Sequence, residues 1–234
     1  MDKRITVCLA SLLVLTFGSS AVVADPVETY IGFKVRSPAA VVGALDSLFN
    51  SEAGKGSRVF LVRSIFDGDD PATHFLVSEY DSFADYDKMT ASRVRSGGWG
   101  NAMAAVNAAA DPVRSGIGIV RADYGKGWPD RDNFIMVFSL NVRDAAAYAK
   151  AFDKLANSET GKQAPGTTRL LENRSAGAAP THYVVMSAPS FAALNEHLDM
   201  MLASKDYEKF NDNVEDIREI VATASYRKVK AWSK

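Results

Sequence analysis

The hexapeptide NSEAGK at residues 50–55 returns as NSETGK at residues 157–162, which is 107 positions later. Two shorter matches keep an offset of 108 positions: THF at 73–75 with THY at 181–183, and SFA at 82–84 with SFA at 190–192. Independent matches in one register indicate a duplicated unit of about a hundred residues, a usual size for one small domain. The chain therefore divides into a first repeat, residues 25–125, and a second repeat, residues 131–234.

The first 24 residues have the pattern of a secretory signal peptide. Lys3 and Arg4 precede an apolar run over residues 5–17, and Val-Val-Ala at 22–24 forms a small-residue cleavage site. Such a segment is too short and wrongly flanked to span a membrane. It also holds the only cysteine, Cys8, so the mature chain is expected to lack thiols and disulfides. The sequence thus predicts a periplasmic or secreted protein without a membrane partner.

The charge balance disfavours a nucleic-acid partner. The chain carries 27 Lys and Arg against 28 Asp and Glu, a net charge of −1, so nothing in its composition favours a phosphate backbone. The sequence has no glycine-rich phosphate loop after a strand, no zinc-protease helix and no serine-hydrolase elbow. Its carboxylates are scattered without metal-ligand spacing. We therefore expect a small-molecule ligand and no metal, and a homo-oligomer stays open.

Each repeat has the pattern strand, helix, strand, strand, helix, strand, which is the ferredoxin-like split βαβ unit. In the first strand of repeat one, Ile31, Phe33 and Val35 alternate as in a strand that faces a core. Ser37 and Asp144 are suited to cap the first helices. Later strands are predicted at 58–66, 73–80 and 116–124, and at 167–173, 181–188 and 224–232.

The repeated hexapeptide falls where each first helix must stop. Gly54 and Gly161 suit the left-handed conformation that is common at helix C-termini. We therefore interpret the motif as a structural C-cap and not as a catalytic site.

A ferredoxin-like sheet carries helices on one face and leaves the other face open, which is costly when that face is apolar. Two tandem copies can solve this by closing their open faces together. The predicted fold class is α+β, with tandem βαββαβ units that form an intramolecular pseudo-dimeric α+β barrel around a cavity.

The stretch SFAALNEHL at 190–198, followed by Ser204, Tyr207 and Phe210, resembles antibiotic-biosynthesis-monooxygenase-like domains of the dimeric α+β barrel superfamily. Those domains similarly carry a His-Leu pair on a helix after the third strand, then a small residue and aromatics. The resemblance covers essentially the whole mature chain as two tandem copies. It implies no single activity, because the superfamily includes cofactor-free oxygenases, haem-degrading enzymes, haem-binding dismutases and isomerases.

His197 is the first candidate for chemistry, because it has the family position. A neutral imidazole can ligate haem iron or act as a base near neutral pH; the alternative is a helix-surface histidine bonded to a neighbour. Met89 stands at the corresponding place in repeat one, which predicts an asymmetric site. His74 and His182 open the third strands of the two repeats, so a structural role is favoured, with a symmetric pair at the cavity mouth as the alternative.

The first strands offer a second, more polar face. Tyr30 and Lys34 in repeat one and Asn141 in repeat two share the face opposite the helices, so they are predicted to line the barrel cavity. Polar residues at a solvated edge are the alternative. In cofactor-free oxygenases of the superfamily, asparagine and tryptophan line the cavity, so the resemblance implies Asn141 as a second catalytic candidate and Trp99 as a ligand contact.

Trp99 lies in the glycine-rich segment SGGWG at 96–100. Three glycines predict a break or bend in the second helix. The tryptophan is then either a mobile lid or a packed plug.

These observations predict an exported protein that binds a small apolar or aromatic molecule in the barrel cavity. A cofactor-independent monooxygenase or isomerase on a small aromatic substrate is one alternative, and a haem-binding protein is another; only the last needs a cofactor. The predicted ligand-binding residues are Tyr30, Lys34, Trp99, Asn141, His182 and His197.

Overall fold

The structure is a computed structural model that describes residues 25–175 and 180–233. The predicted signal peptide therefore lies outside the described residues. The first half contains β1 Val27–Val35, α1 Pro38–Phe49, β2 Arg58–Phe66, β3 His74–Tyr80, α2 Phe83–Arg95, α3 Gly97–Ala109 and β4 Ala110–Tyr124. The second half contains β5 Phe134–Val142, α4 Ala145–Ala156, β6 Thr168–Asn173, β7 His182–Ala188, α5 Phe191–Leu202, α6 Lys205–Val214 and β8 Arg218–Ser233.

The eight strands close into one antiparallel ring in the order β1-β3-β2-β8-β5-β7-β6-β4. Each half contributes a four-stranded ferredoxin-like sheet, and the two sheets join edge to edge where β2 pairs with β8 and β4 pairs with β6. The predicted α+β fold is confirmed. Because the sheets meet at their edges, their inner faces surround a lumen and the helices cover the outside.

Alternation along the strands divides the core into layers. On β1, Phe33 faces the helices and is 4% exposed, whereas Tyr30 faces the lumen. The outer face of the first sheet packs with α1 and α3 around Leu45 and Val106. The outer face of the second sheet packs with α4, α5 and α6 around residues such as Leu194.

The second helix of each repeat is in fact two helices. Ser96 separates α2 from α3 and accepts a hydrogen bond from the Trp99 amide at 3.3 Å. Ser204 separates α5 from α6 and accepts from the Tyr207 amide at 3.1 Å. The break predicted for the glycine-rich segment is confirmed, but the glycine-poor repeat breaks at the matching place. The capping serine, not the glycines, is the feature that both repeats share.

The first helices begin in two different ways. Asp144 caps α4 by accepting a hydrogen bond from the Ala147 amide at 2.9 Å, as predicted. Ser37 makes no side-chain cap bond to α1, so that prediction is wrong. Pro38 occupies the first turn instead, where its fixed φ favours a helix and its missing N–H leaves no donor to satisfy.

The glycines of the repeated hexapeptide do not have the predicted left-handed conformation. Within the described chain, the glycines with positive φ are Gly56, Gly68, Gly125 and Gly127. A Cβ on Gly54 would instead lie 2.4 Å from the Phe49 Cα, and one on Gly161 would lie 2.1 Å from the Leu155 carbonyl oxygen. The motif does end the helix, but its glycine is required by close backbone approach.

None of the described helices is both long and apolar enough to cross a membrane.

Candidate functional site

Two mainly apolar cavities lie on opposite faces of the barrel wall. The barrel lumen is the space enclosed by the inner faces of the strands, with a volume of about 150 Å³. The helix-covered cavity lies between the outer face of the second sheet and helices α4, α5 and α6, with a volume of about 390 Å³. The two cavities share no lining residue.

The helix-covered cavity has apolar walls. The sheet contributes Met136, Phe138 and Val184, and the helices contribute Phe152, Leu198 and Phe210. Leu202 and Ile220 line the cavity yet are 55% and 47% exposed, so an apolar rim reaches solvent at its mouth. Exposed apolar residues that continue into a cavity are a usual feature of a ligand entrance.

His197 on α5 is a polar group in this apolar wall. Its side chain is 5% exposed, and its Nδ1 has no hydrogen-bond partner among the described residues. Burial lowers the pKa of His197, so the imidazole is neutral at pH 7. A buried polar atom without a partner costs about 1–3 kcal/mol, which a ligand atom can offset.

Two further polar groups line the same cavity. Arg218 at the start of β8 donates a hydrogen bond to Asn211 Oδ1 at 2.9 Å, and its guanidinium lies 5.5 Å from the centre of the Phe210 ring. Burial raises the pKa of Tyr148 to about 12, so its hydroxyl is a neutral donor. Lys162 adds a second cation to the lining, so the cavity offers an imidazole, cations and a phenol to a mainly apolar molecule.

The barrel lumen is lined mainly by apolar and aromatic side chains, with tyrosine hydroxyls among them. Tyr30 and Tyr183 face each other across it, with their hydroxyl oxygens 3.4 Å apart. Tyr226 also lines the lumen. Burial raises the pKa of Tyr183 and of Tyr226, the latter to about 12. All three hydroxyls can donate as well as accept.

A charged cluster lines part of the lumen. Arg169 on β6 pairs with Glu79 and lies 3.5 Å from Glu28 and 2.9 Å from Asp123. Burial raises the pKa of Glu28 to about 7; the Arg169 guanidinium opposes that rise, and the carboxylates of Glu79 and Asp123 add to it. Three carboxyl groups therefore surround one cation.

The structure places the predicted site residues in different places. Tyr30 lines the lumen, as predicted. His197 lines the helix-covered cavity and not the barrel lumen, because α5 packs on the outer face of the sheet. The prediction that these two residues share one cavity is therefore wrong.

Lys34 and Asn141 lie outside both cavities. Pairing between β1 and β3 ends at Phe33, and pairing between β5 and β7 ends at Leu140. Both polar residues follow these last pairs, where the ring is no longer closed. Lys34 is exposed and Asn141 is half-buried. Although both residues lie on the strand face that was predicted to line the lumen, neither of them lines it.

His182 faces the helices and lines neither cavity. Its side chain is 5% exposed, its ring centre is 6.4 Å from that of Tyr148, and its Nδ1 lies 3.0 Å from Thr181 Oγ1. His74 makes the equivalent 3.0 Å contact with Thr73 Oγ1. The matched histidine–threonine contacts favour the structural role over a pair at the cavity mouth.

Trp99 packs against the core between the first sheet and helices α1 and α3, outside both cavities. The Arg93 guanidinium lies 4.9 Å from its ring centre. Of the two interpretations of Trp99, the structure supports the packed plug. Met89, which corresponds to His197, is half-buried beside a small polar pocket. The two halves are therefore asymmetric at this position.

Sequence reasoning missed most polar groups of the two cavities. Strand alternation could have placed Tyr183 and Tyr226 on the inner face, because Val185 and Ala224, two positions away from them, pack on that face. No local signal marked Arg218, which lies before the predicted start of the last strand. The salt-bridged group around Arg169 depends on contacts between the halves, which spacing alone does not show.

No family model matches the chain, and no curated protein matches it in sequence. Solved structures do match. A protein from Fusobacterium nucleatum described provisionally as a monooxygenase has a TM-score of 0.62 and 14% identity, over 90% of this chain and 95% of the other. A haem-binding protein from Thermus thermophilus has a TM-score of 0.54 and 9% identity, over 88% and 92%. A chlorite dismutase variant from Candidatus Nitrospira defluvii has a TM-score of 0.53 and 9% identity, also over 88% and 92%. These likenesses show the fold of a tandem dimeric α+β barrel.

Proposed function

We propose that the protein binds a flat, largely apolar small molecule in the helix-covered cavity, with His197 as its polar contact. The observation that carries this proposal is the buried Nδ1 of His197, which has no hydrogen-bond partner among the described residues and lies in a mainly apolar wall. A neutral imidazole in such a position offers one directional bond, while the walls supply apolar contact area.

The helix-covered cavity supports this function better than the barrel lumen in which the sequence predicted the ligand. Its volume of about 390 Å³ lies in the range of small-ligand sites, whereas the lumen offers about 150 Å³. Its exposed rim of Leu202 and Ile220 gives an apolar molecule a route in.

Haem is the first candidate ligand. One similar fold is described as a haem-binding protein. The residues of this chain fit the group: His197 supplies a neutral nitrogen ligand, and Arg218 and Lys162 line the cavity as partners for carboxylates. Haem, when bound, supplies redox chemistry at its iron. The chain's own part is to exclude water and to hold the ring.

Titration of the purified protein with haemin tests the proposal. We expect a shifted Soret band with the wild type and a loss of at least tenfold in affinity with His197→Ala. His74→Ala is the matched control, because His74 lies in the other half and lines neither cavity. Equal haemin affinities for the wild type and His197→Ala would contradict haem as the ligand. A wild-type protein that binds neither haemin nor an apolar dye would contradict the cavity as a site.

We also propose that the chain is exported and cleaved before Asp25. Support comes from Lys3, Arg4 and the apolar run that follows them. Expression in a bacterial host, followed by intact-mass measurement of the periplasmic fraction, tests this. A protein that keeps its first 24 residues in the cytoplasm would contradict it.

A further inference from the structure

We infer that the barrel lumen is a second, separate binding site, for a neutral single-ring aromatic molecule that carries a hydroxyl or carbonyl oxygen. The site is distinct from the helix-covered cavity, since the sheet itself separates the two. The inference therefore stands whether or not haemin binds at His197.

The size of the lumen sets the size of the ligand. Its volume is about 150 Å³. An apolar cavity of roughly this volume accommodates benzene and stays dry when it is empty. Haem or a fused polycyclic compound needs more room. A molecule with one ring and one or two small substituents fits this space.

The walls of the lumen present ring edges and faces to such a molecule. Phe60 and Trp128 meet edge to face with their ring centres 4.9 Å apart, and Phe75 and Tyr226 do so at 5.3 Å. Aromatic pairs prefer this geometry, which stabilises them beyond the area that they bury. An aromatic ligand can continue the same edge-to-face pattern, which a saturated ring cannot do.

Glycines on neighbouring strands lie directly against two lumen rings, those of Tyr30 and Phe75. A Cβ on Gly116 would lie 2.4 Å from the Tyr30 ring, and one on Gly32 would lie 2.8 Å from the Phe75 ring. The rings therefore lie against bare backbone. This arrangement keeps them beside the wall and leaves the centre of the lumen free.

The tyrosine hydroxyls supply the polar contact. The Tyr30 and Tyr183 oxygens are 3.4 Å apart, which is longer than the usual 2.7–2.8 Å of a hydroxyl hydrogen bond. The Tyr226 hydroxyl has no hydrogen-bond partner among the residues that the structure describes, and it lines the lumen. Since burial raises the pKa of Tyr183 and Tyr226, both keep their protons at neutral pH. They can therefore donate to a ligand oxygen and accept from a ligand hydroxyl.

The charges that line the lumen favour a neutral ligand over an anion. Arg114 pairs with Asp70 where the lumen meets solvent, and its side chain is 46% exposed. Arg169 is already surrounded by carboxyl groups, with Glu28 among them. Both lining cations are thus neutralised within the described chain. A benzoate would bring a further negative charge without gaining a free cation, which costs free energy in a partly buried site.

Calorimetric titration of the purified protein with phenol, toluene and benzoate tests the inference. We expect phenol to bind more tightly than toluene and benzoate not to bind. Tyr183→Phe and Tyr226→Phe each remove one hydroxyl and keep the ring. In at least one of them phenol affinity should fall by about fivefold to tenfold, the equivalent of one hydrogen bond, while toluene affinity stays the same.

Two further variants separate this site from the helix-covered cavity. Val185→Trp should fill the lumen and abolish phenol binding without changing the response to haemin. His197→Ala should leave phenol binding intact. Phenol affinity that is unchanged in both tyrosine variants, that is lost in His197→Ala, or that is undetectable in the wild type would overturn the inference. Because the tyrosine variants keep the shape of the core, they remain informative even if Val185→Trp fails to fold.

Discussion

Gly161 approaches the carbonyl oxygen of Leu155 so closely that a Cβ atom on it would lie 2.1 Å from that oxygen. Gly54 lies similarly close to the end of α1, because a Cβ atom on it would be 2.5 Å from the Leu48 carbonyl oxygen. Real Cβ atoms do not come this close, so an added methyl must push the helix end away. We expect Gly161→Ala and Gly54→Ala each to lower the free energy of unfolding by about 2 kcal/mol or more, measured by urea denaturation.

Gly43 gives a matched control within α1. A Cβ on it would meet nothing within 4 Å, and the position is exposed. Gly43→Ala should raise the free energy of unfolding by about 0.5–1 kcal/mol, because alanine loses less backbone entropy in a helix. Equal effects of all three substitutions would show that close approach is not the reason for the repeated glycine.

The mostly buried carboxyl of Glu28, whose side chain is 16% exposed, predicts a pH-dependent stability. The pKa of Glu28 rises from its usual 4.5 to about 7 in the folded protein, chiefly through burial. The folded state therefore keeps a proton that the unfolded state releases as the pH rises from about 4.5 to about 7. The free energy of unfolding should fall by about 3 kcal/mol across that window and change little above it from this group.

Glu28→Gln removes the titrating group and keeps the shape. Urea denaturation at several pH values should show a flatter profile for this variant, and greater stability than the wild type at pH 8. Glu219→Gln is the control, because Glu219 is exposed on β8. A Glu28→Gln profile as steep as that of the wild type would assign the pH dependence to other groups.

The buried carboxylate of Asp132 ties the link between the halves to the second sheet. Asp132 is 0% exposed and accepts hydrogen bonds from the Ser187 hydroxyl at 2.6 Å and the Thr167 amide at 3.3 Å. Asp132→Ala leaves buried donors without this acceptor, so we expect a loss of about 3 kcal/mol in thermal or urea unfolding. Asp130→Ala, at an exposed position two residues away, should change stability by no more than about 0.5 kcal/mol.

The fold was predictable from the sequence because its determinants are local and occur twice. Alternation at Ile31, Phe33 and Val35 defined a strand and its buried face, and Asp144 defined a helix start. The closed barrel was predicted from the duplicated unit, because two copies can close their open sheet faces together. The Gly54 prediction was right about the helix end and wrong about its cause. The close approach of Gly54 to the end of α1 depends on the path of the chain after that helix, which the local sequence does not show.

The candidate site was less predictable, because its members depend on distances between elements. The sequence placed Lys34 and Asn141 on the correct strand face but could not show where the closed ring ends. It placed His197 on a helix without showing which side of the sheet that helix covers. Asp132 lies in a run of turn-forming residues, where an acidic residue is ordinarily solvated. Its burial depends on Ser187, which is 55 positions away.

The orphaned imidazole of His197 predicts a conflict between stability and binding. Its Nδ1 is buried without a partner among the described residues, so the unliganded protein carries an uncompensated polar atom. His197→Leu replaces it with an apolar side chain and should raise the free energy of unfolding by about 1 kcal/mol while abolishing haemin binding. Met89→Leu, at the corresponding position of the other half, should change neither quantity by a measurable amount. If His197→Leu instead lowers the free energy of unfolding, the imidazole is part of the structural core, and its missing partner is not a sign of a ligand.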